Sequence, residues 1–207
     1  MTADGTTTPF DAIAAAYDED DFHQVIAERL VTDIPTTGGL VVDVATGTGH
    51  AAFAALQHLR PQRIVAVDLS PAMIASAAAK AESLDPSGVI DWRVADAVPA
   101  PVADGTADVV LCASSLHFLG MAAFTDWLRI LRPGGVLAYS LPSPETFNPS
   151  PTFAALIPRD LALPPTPSAA IHLTEAAGFT QASATELKTT TDRPRSVFLV
   201  HAKAPGR

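Results

Sequence analysis

Val41-Val42-Asp43-Val44-Ala45-Thr46-Gly47-Thr48-Gly49-His50 is the stretch whose reading decides the fold. β-Branched apolar residues run into an acid and a turn with two glycines, and helix formers from Ala51 to Leu59 follow at once. A strand, a glycine-rich turn and a helix in that order aim backbone N–H groups and a helix N-terminus at a nucleotide-like ligand. The glycines permit a tight turn and close approach of backbone to that ligand.

Working outward, the pattern repeats on the C-terminal side. Arg63 to Asp68 reads as a buried strand ending in an acid, and Ser70-Pro71 starts a helix that runs to about Ser83, with proline at its first position. Val89 to Val94 is a third strand, with Asp96 just past it. Ala107 to Cys112 is a fourth, and Met121 to Leu131 is a helix whose apolar stripe is Met121, Phe124, Leu128 and Leu131. Arg132-Pro133-Gly134-Gly135 stops that helix and opens a fifth strand, Val136 to Leu141. Strands alternating with helices at this short spacing predict a parallel sheet covered on both faces. Near the end, a helix from about Ser168 to Ala177 precedes two strand-like runs, Gln181 to Thr190 and Val197 to Ala202. Only a turn containing Asp192-Arg193-Pro194 separates them, so they should pair as an antiparallel hairpin.

On the N-terminal side, residues 1–9 read as a disordered lead-in and Phe10 to Thr32 as helix in two pieces. Phe10, Ile13, Ala14 and Tyr17 share one face, and Phe22, Val25, Ile26, Arg29 and Leu30 another. The acidic run Asp18-Glu19-Asp20-Asp21 between them suits a helix start. Residues 1–35 are therefore expected to form a helical cap on a single domain spanning 1–207. Residues 142–167 hold eight prolines interspersed with Phe147, Phe153, Leu156 and Ile157. That is too apolar for a free linker and too proline-rich for a regular helix, so residues 142–170 read as a packed surface loop or as a lid and substrate wall.

Composition bounds the function. The net charge is −9 and no basic run occurs, which speaks against nucleic acid as a partner. Cys112 is the sole cysteine and falls in an apolar run, so no intrachain disulfide forms and the thiol reads as buried and inert. No apolar stretch reaches the roughly 18 residues of a membrane span, and the N-terminus has no leader pattern, so the expectation is a cytoplasmic protein. No metal-ligand cluster is evident.

Asp43, Asp68, Asp96 and the segment Ala113-Ser114-Ser115-Leu116-His117 all fall at the ends of successive strands, where open parallel sheets bind ligands. Asp68 lies 19 residues beyond Gly49, the spacing at which a carboxylate accepts hydrogen bonds from ribose hydroxyls. Asp96 is placed to accept from an adenine amine. A nicotinamide dehydrogenase also fits Gly47-x-Gly49-x-x-Ala52 with Asp68. Asp43 tilts the choice, because a carboxylate inside the strand end repels a pyrophosphate and suits an ammonium or sulfonium group.

The chain resembles the class I S-adenosylmethionine-dependent methyltransferases, in particular the ubiquinone/menaquinone-biosynthesis type. The matching pieces are Phe10 to Asp18, Val42 to Gly49, Val67 to Met73, Ala95-Asp96-Ala97, Asp108 to Leu119, Leu131 to Gly135 and Ala176 to Phe179. The resemblance implies an α/β, Rossmann-like sheet of seven mostly parallel strands whose last strand is antiparallel, with S-adenosyl-L-methionine as cofactor. By position, Asp43, Ala45 and the Gly47–Gly49 loop would hold the methionine moiety, with Tyr17 closing over its end. Asp68 would hold the ribose, Leu69 and Met73 the adenine face, Asp96 and Ala97 the adenine edge, and Ala113 would lie beside the cofactor. His117 is the best-placed candidate for a general base, ahead of His23 and His172. The expected partner is a small, partly apolar methyl acceptor. Two other readings stay open: a protein that uses the same cofactor without methylating, and a nicotinamide-dependent oxidoreductase.

Overall fold

A computed structural model describes residues 8–189 and 194–206 of the chain. Residues 1–7 of the expected lead-in, the end of the expected strand at Thr190, and Asp192-Arg193 of the expected turn lie outside the described residues.

Seven strands form one sheet in the order β3-β2-β1-β4-β5-β7-β6. They are β1 (Leu40–Val44), β2 (Arg63–Asp68), β3 (Ile90–Val94), β4 (Ala107–Cys112), β5 (Leu131–Pro142), β6 (Thr180–Lys188) and β7 (Ser196–Lys203). The pairs β1–β2, β2–β3, β1–β4 and β4–β5 are parallel, whereas β7 runs antiparallel to both β5 and β6. The antiparallel last strand is thus as expected, and it is wedged between β5 and β6 instead of closing the edge. Strand order reverses between β1 and β4, and the crevice outside their carboxyl ends is where such sheets take ligands.

The helices are α1 (Phe22–Thr32), α2 (His50–Leu59), α3 (Pro71–Leu84), the single turn α4 (Leu116–Leu119), α5 (Ala122–Ile130), the single turn α6 (Pro151–Ala154) and α7 (Pro167–Ala176). Ahead of them, Ala14–Glu19 is a 3-10 helix, so the first expected helical piece is tighter and shorter than its apolar spacing implied. Local signals explain the starts. The Asp20 carboxylate accepts from the Phe22 N–H, and the Ser70 hydroxyl caps α3 by accepting from the Met73 N–H ahead of Pro71.

The two faces of the sheet carry separate cores. Val42, Val44, Val65, Val67, Val110 and Cys112 pack with Phe124, Trp127 and Ile130 of α5. Val41, Ile64, Ala66, Val109 and Leu111 pack with Ile26 and Leu30 of α1 and Phe53 and Ala55 of α2. Burial on both sides is why the central strands are near-continuous apolar runs. Of the stripe expected on α5, Phe124 and Leu131 are buried and Met121 and Leu128 pack partly exposed against the same core, while Ala123, Trp127 and Ile130 take further buried positions because the helix turns its indole to the sheet. Val25 is likewise exposed on α1, where Ala27 and Val31 take the buried positions. The Tyr139 hydroxyl lies 2.6 Å from Thr174 Oγ1 and ties α7 to β5 inside the core.

Candidate active site

A cavity of about 1130 Å³ opens at the carboxyl ends of β1, β2 and β4. Its floor contains two non-glycine residues in left-handed backbone, Ala45 after β1 (φ 52°) and Ser114 after β4 (φ 63°). Such conformations cost about 1–3 kcal/mol each and persist where the surroundings fix them. Gly47 is also left-handed (φ 56°), and a side chain there would meet Tyr17.

One wall is built from strand-end acids. Asp68 is buried, and its two oxygens accept from the Gly47 and Ser70 N–H groups at 2.8 Å each. It therefore fixes the glycine turn while keeping lone pairs for a ligand. Burial pushes its carboxyl up, against those two hydrogen bonds. Beside it, Leu69 is 39% exposed toward the cavity, an apolar side chain with little against it, while Met73 is buried beneath. Exposed Asp96 and buried Ala97 line the same wall.

Asp43 is the most deeply buried acid of the site. Thr46 Oγ1 donates to its Oδ2 at 2.5 Å, and its Oδ1 has no hydrogen-bond partner. Burial raises its pKa to about 7. Two other buried acids show the contrast. Asp85 holds the Val89 and Ile90 N–H groups, and Asp126 holds the Ala100 N–H and Arg129, so both oxygens of each serve the fold. Asp43 and Ala113 line a small pocket of about 20 Å³ behind the main cavity, together with Tyr17, His23, His50 and Ser114.

The opposite wall is aromatic. Phe10 packs edge-on to Phe118 (5.5 Å between centroids) and against Phe153 (5.3 Å), and His117 lies 4.1 Å from Phe118 and 4.9 Å from Phe147. His117 is buried with its Nδ1 unpartnered, and burial holds its pKa down at about 4. Phe147, Phe153 and Leu156 of the proline-rich segment reach the cavity, and Ile157 is outside its lining.

The N-terminal segment lies across the cavity and is held by three aspartates. Ser70 Oγ and the Ala72 N–H donate to Asp11 Oδ1, which holds its pKa down at about 2. Thr48 Oγ1 and Lys80 Nζ donate to Asp18 at 2.5 and 2.7 Å. Asp20 takes both terminal nitrogens of Arg195, whose guanidinium sits 4.0 Å over the Phe22 ring. Tyr17 is thereby stacked on His23 at 4.8 Å, and burial pushes its hydroxyl pKa up.

Of the residues singled out in the sequence, Tyr17, Ala45, Gly47, Asp68, Leu69, Met73, Asp96, Ala97 and His117 line the main cavity, as does His23. Gly49 lines neither pocket: it caps α2 with φ 92°, and a Cβ there would come within 2.6 Å of the Trp92 ring. His172 sits on α7, away from the lining. Reading the sequence passed over Phe10, Phe118, Asp20 and Arg195 as site residues. Only folding joins them, so no local spacing signals them. Ser114 and Ser115, from the segment expected at the ligand-binding end of the fourth strand, both line the cavity. Among the described residues no group of three His, Cys, Asp or Glu side chains is placed to hold a metal ion. No helix there is long and apolar enough to cross a membrane.

Comparison with known proteins agrees with this geometry. Residues 41–135 match a family model described as a methyltransferase domain. The chain is 31% identical over 135 residues to a malonyl-[acyl-carrier protein] O-methyltransferase of Marinomonas sp., covering 63% of this chain and 49% of that protein. It is 31% identical over 148 residues to a ubiquinone/menaquinone biosynthesis C-methyltransferase of Roseobacter denitrificans, covering 65% and 59%. The chain thus spans about half to three-fifths of the length of these curated relatives. In fold it is similar to a Haloferax volcanii complex of the Trm112 methyltransferase activator with a methyltransferase, at TM-score 0.75 and 21% identity over 97% of this chain and 100% of that one. In its strand-end motifs and its sheet, the chain resembles the class I S-adenosylmethionine-dependent methyltransferases, in particular their ubiquinone/menaquinone-biosynthesis branch.

Proposed function

We propose that the protein transfers the methyl group of S-adenosylmethionine to a small, neutral, partly apolar metabolite. The observation that carries this reading is one continuous cavity with strand-end acids on one wall and a phenylalanine cluster on the other. The acid wall fits the cofactor. Asp68 has lone pairs left for the ribose hydroxyls, exposed Leu69 with Met73 offers adenine an apolar face, and Asp96 beside Ala97 accepts from the adenine amine. Asp43, with its unpartnered oxygen, suits the amino-acid end together with Ala45, Gly47 and Ala113, and Tyr17 closes over that end.

When bound, the cofactor supplies a methyl group on a sulfonium whose leaving group is already activated. The protein's own task is alignment and the exclusion of water. In this reading residues 1–35 act as a cap and residues 142–170 as a lid on a single domain covering 1–207. His117, uncharged and weakly basic at neutral pH, accepts a hydrogen bond that orients the acceptor's reacting group.

The charge balance of the lining supports a neutral acceptor. Arg195 is the one Lys or Arg side chain lining the cavity among the described residues, and Asp20 holds it in a bidentate pair. A malonyl group, with its carboxylate, meets no unpaired cation there among the described residues. Cys112 is fully buried, so a thiophilic acceptor such as arsenite finds no accessible thiol. The net charge of −9 disfavours nucleic acid, and the protein is read as cytoplasmic.

Incubation with methyl-labelled S-adenosylmethionine and matched panels of neutral phenols and aliphatic acids tests the reading. Label should enter the neutral panel, and His117→Phe should slow that transfer about tenfold or more at unchanged S-adenosylhomocysteine affinity. Label in the acids alone would contradict the acceptor assignment. Cofactor binding with no transfer to either panel would favour the non-methylating use.

A further inference from the structure

One clasp of the N-terminal segment reaches the acid wall without touching the cavity. Asp11 is half-buried, lies outside the cavity lining and gives both carboxylate oxygens to the fold. Thr8 donates its N–H and its hydroxyl to Asp11 Oδ2 at 2.6 and 3.0 Å. Ser70 Oγ and the Ala72 N–H, 59 and 61 residues further along the chain, donate to Asp11 Oδ1 at 2.5 and 3.2 Å. The Ser70 contact does most to bring the Asp11 pKa down to about 2, so the carboxylate is ionised at neutral pH.

Pro71 at the first position of α3 has no N–H, and the next two donors of that helix are divided between two caps. The Met73 N–H goes to Ser70 Oγ at 3.1 Å and the Ala72 N–H to Asp11. Ser70 is thereby committed at both of its polar groups. Its hydroxyl donates to Asp11 and accepts from Met73, and its own N–H donates to Asp68 Oδ1 at 2.8 Å. A single buried serine joins the N-terminal segment to the acid of the cavity.

We propose that Asp11 is a positioning residue for methyl transfer: by holding Ser70 it fixes the Asp68 carboxylate, so the ribose subsite is complete only when the N-terminal segment is docked. The proposal rests on the reading of Asp68 as the acid that takes the ribose hydroxyls, and it adds a residue that touches no part of the cofactor. Asp68 already accepts the Gly47 and Ser70 N–H groups on its two oxygens and needs its remaining lone pairs for a ligand. The hydroxyl of Ser70, two residues away, is a donor that competes for them, and Asp11 takes that proton instead. Burial raises the Asp68 pKa, and the nearby Asp11 charge raises it further, which strengthens the carboxylate as an acceptor. Asp18 and Asp20 fasten the same segment at Thr48, Lys80 and Arg195, and neither holds a hydrogen-bond partner of Asp68. In the sequence Asp11 belongs to the piece Phe10 to Asp18, where only Tyr17 stands out as a site residue.

Calorimetric titration of the full chain with S-adenosylhomocysteine and with its analogue lacking both ribose hydroxyls tests the proposal. The wild type should bind the analogue roughly 10- to 100-fold more weakly, because hydrogen bonds to a carboxylate are lost. Asp11→Ala should weaken S-adenosylhomocysteine about tenfold and change the analogue by less than about twofold. Thr8→Val, a milder loosening of Asp11, should show the same selectivity at about two- to threefold. In a Ser70→Ala chain, Asp11→Ala should add no more than about twofold, because the hydroxyl through which it acts is gone. Asp18→Ala, which loosens the segment elsewhere, should not discriminate between the two ligands. Equal weakening of both ligands by Asp11→Ala overturns the proposal alone, and so does unchanged affinity for S-adenosylhomocysteine or an undiminished effect in the Ser70→Ala chain. Equal affinity of the wild type for both ligands overturns the ribose role of Asp68 and the proposal with it. No binding of S-adenosylhomocysteine to the wild type overturns the cofactor reading as well.

Discussion

The two walls of the cavity are made in different ways. The acid wall consists of short chain units in which the functional residue also organises its own neighbourhood: Asp68 fixes Gly47 and Ser70, and Thr46 fixes Asp43. The aromatic wall is assembled from the N-terminal segment, α4 and the proline-rich segment, with Arg195 just ahead of β7, and these meet only after the chain has folded. A wall of the first kind is strained in its backbone and fixed by its own hydrogen bonds, so it resists substitution. A wall of the second kind is held by stacking and by aspartate clasps at the surface, so it should tolerate exchange more readily.

That contrast can be broken at Gly49, where the largest effect is expected. A Cβ there meets the Trp92 ring at 2.6 Å in a backbone with φ 92°. Gly49→Ala should cost about 2–4 kcal/mol, lowering Tm by roughly 5–15 °C in a thermal melt. Trp92→Leu in the same chain should recover part of that loss. A Gly49→Ala chain that melts like the wild type would show that the acid wall is less constrained than described.

Asp43→Asn comes next and separates function from stability. Burial raises the folded-state pKa of Asp43 to about 7 from an ordinary 3.8, so between those pH values the folded chain binds a proton that the unfolded chain releases. The charge therefore costs stability progressively as pH rises from about 4 to 7, and the amide variant escapes that cost. The stability gain of Asp43→Asn over wild type should grow by about 2–3 kcal/mol between pH 5 and pH 8, read from denaturant midpoints, while S-adenosylhomocysteine affinity falls. Tyr17, Asp68, His50, His23 and Cys112 are the titratable groups around it, and none of them is removed by the substitution. A gain that does not vary with pH would contradict the buried-charge account.

On the aromatic wall, Phe153→Ala should have the smallest effect on the fold. The ring is partly exposed and packs on Phe10 and Phe118. Tm should fall by no more than about 3 °C and S-adenosylhomocysteine affinity should hold, while the KM for a neutral acceptor rises several-fold. A loss of cofactor affinity in this variant would erase the distinction between the walls.

This division also explains what could be read in the sequence. The seven strands, the antiparallel last one and the strand-end acids follow from local signals: apolar runs buried on both faces, a capping Ser70 before Pro71, and an acid where each run ends. The stripe on α5 was harder to place because Trp127 and Leu128 are adjacent, and which of them turns to the sheet depends on the shape of the opposite strands. Arg195 and Asp20 were illegible as site residues, since a clasp across 175 positions leaves no mark in either neighbourhood. Gly49 was legible as part of the turn, but the reason for it, the Trp92 ring, is tertiary.

The central claim is that the acid wall holds S-adenosylmethionine through Asp68. Titrating the chain with S-adenosylhomocysteine and separately with a nicotinamide dinucleotide, on wild type and Asp68→Ala, tests it most directly. The account predicts saturable binding of S-adenosylhomocysteine alone, weakened about 100-fold or more in Asp68→Ala, because both the ribose contact and the hydrogen bond that fixes Gly47 are removed. Unchanged affinity in the variant, or preference for the dinucleotide, would contradict it.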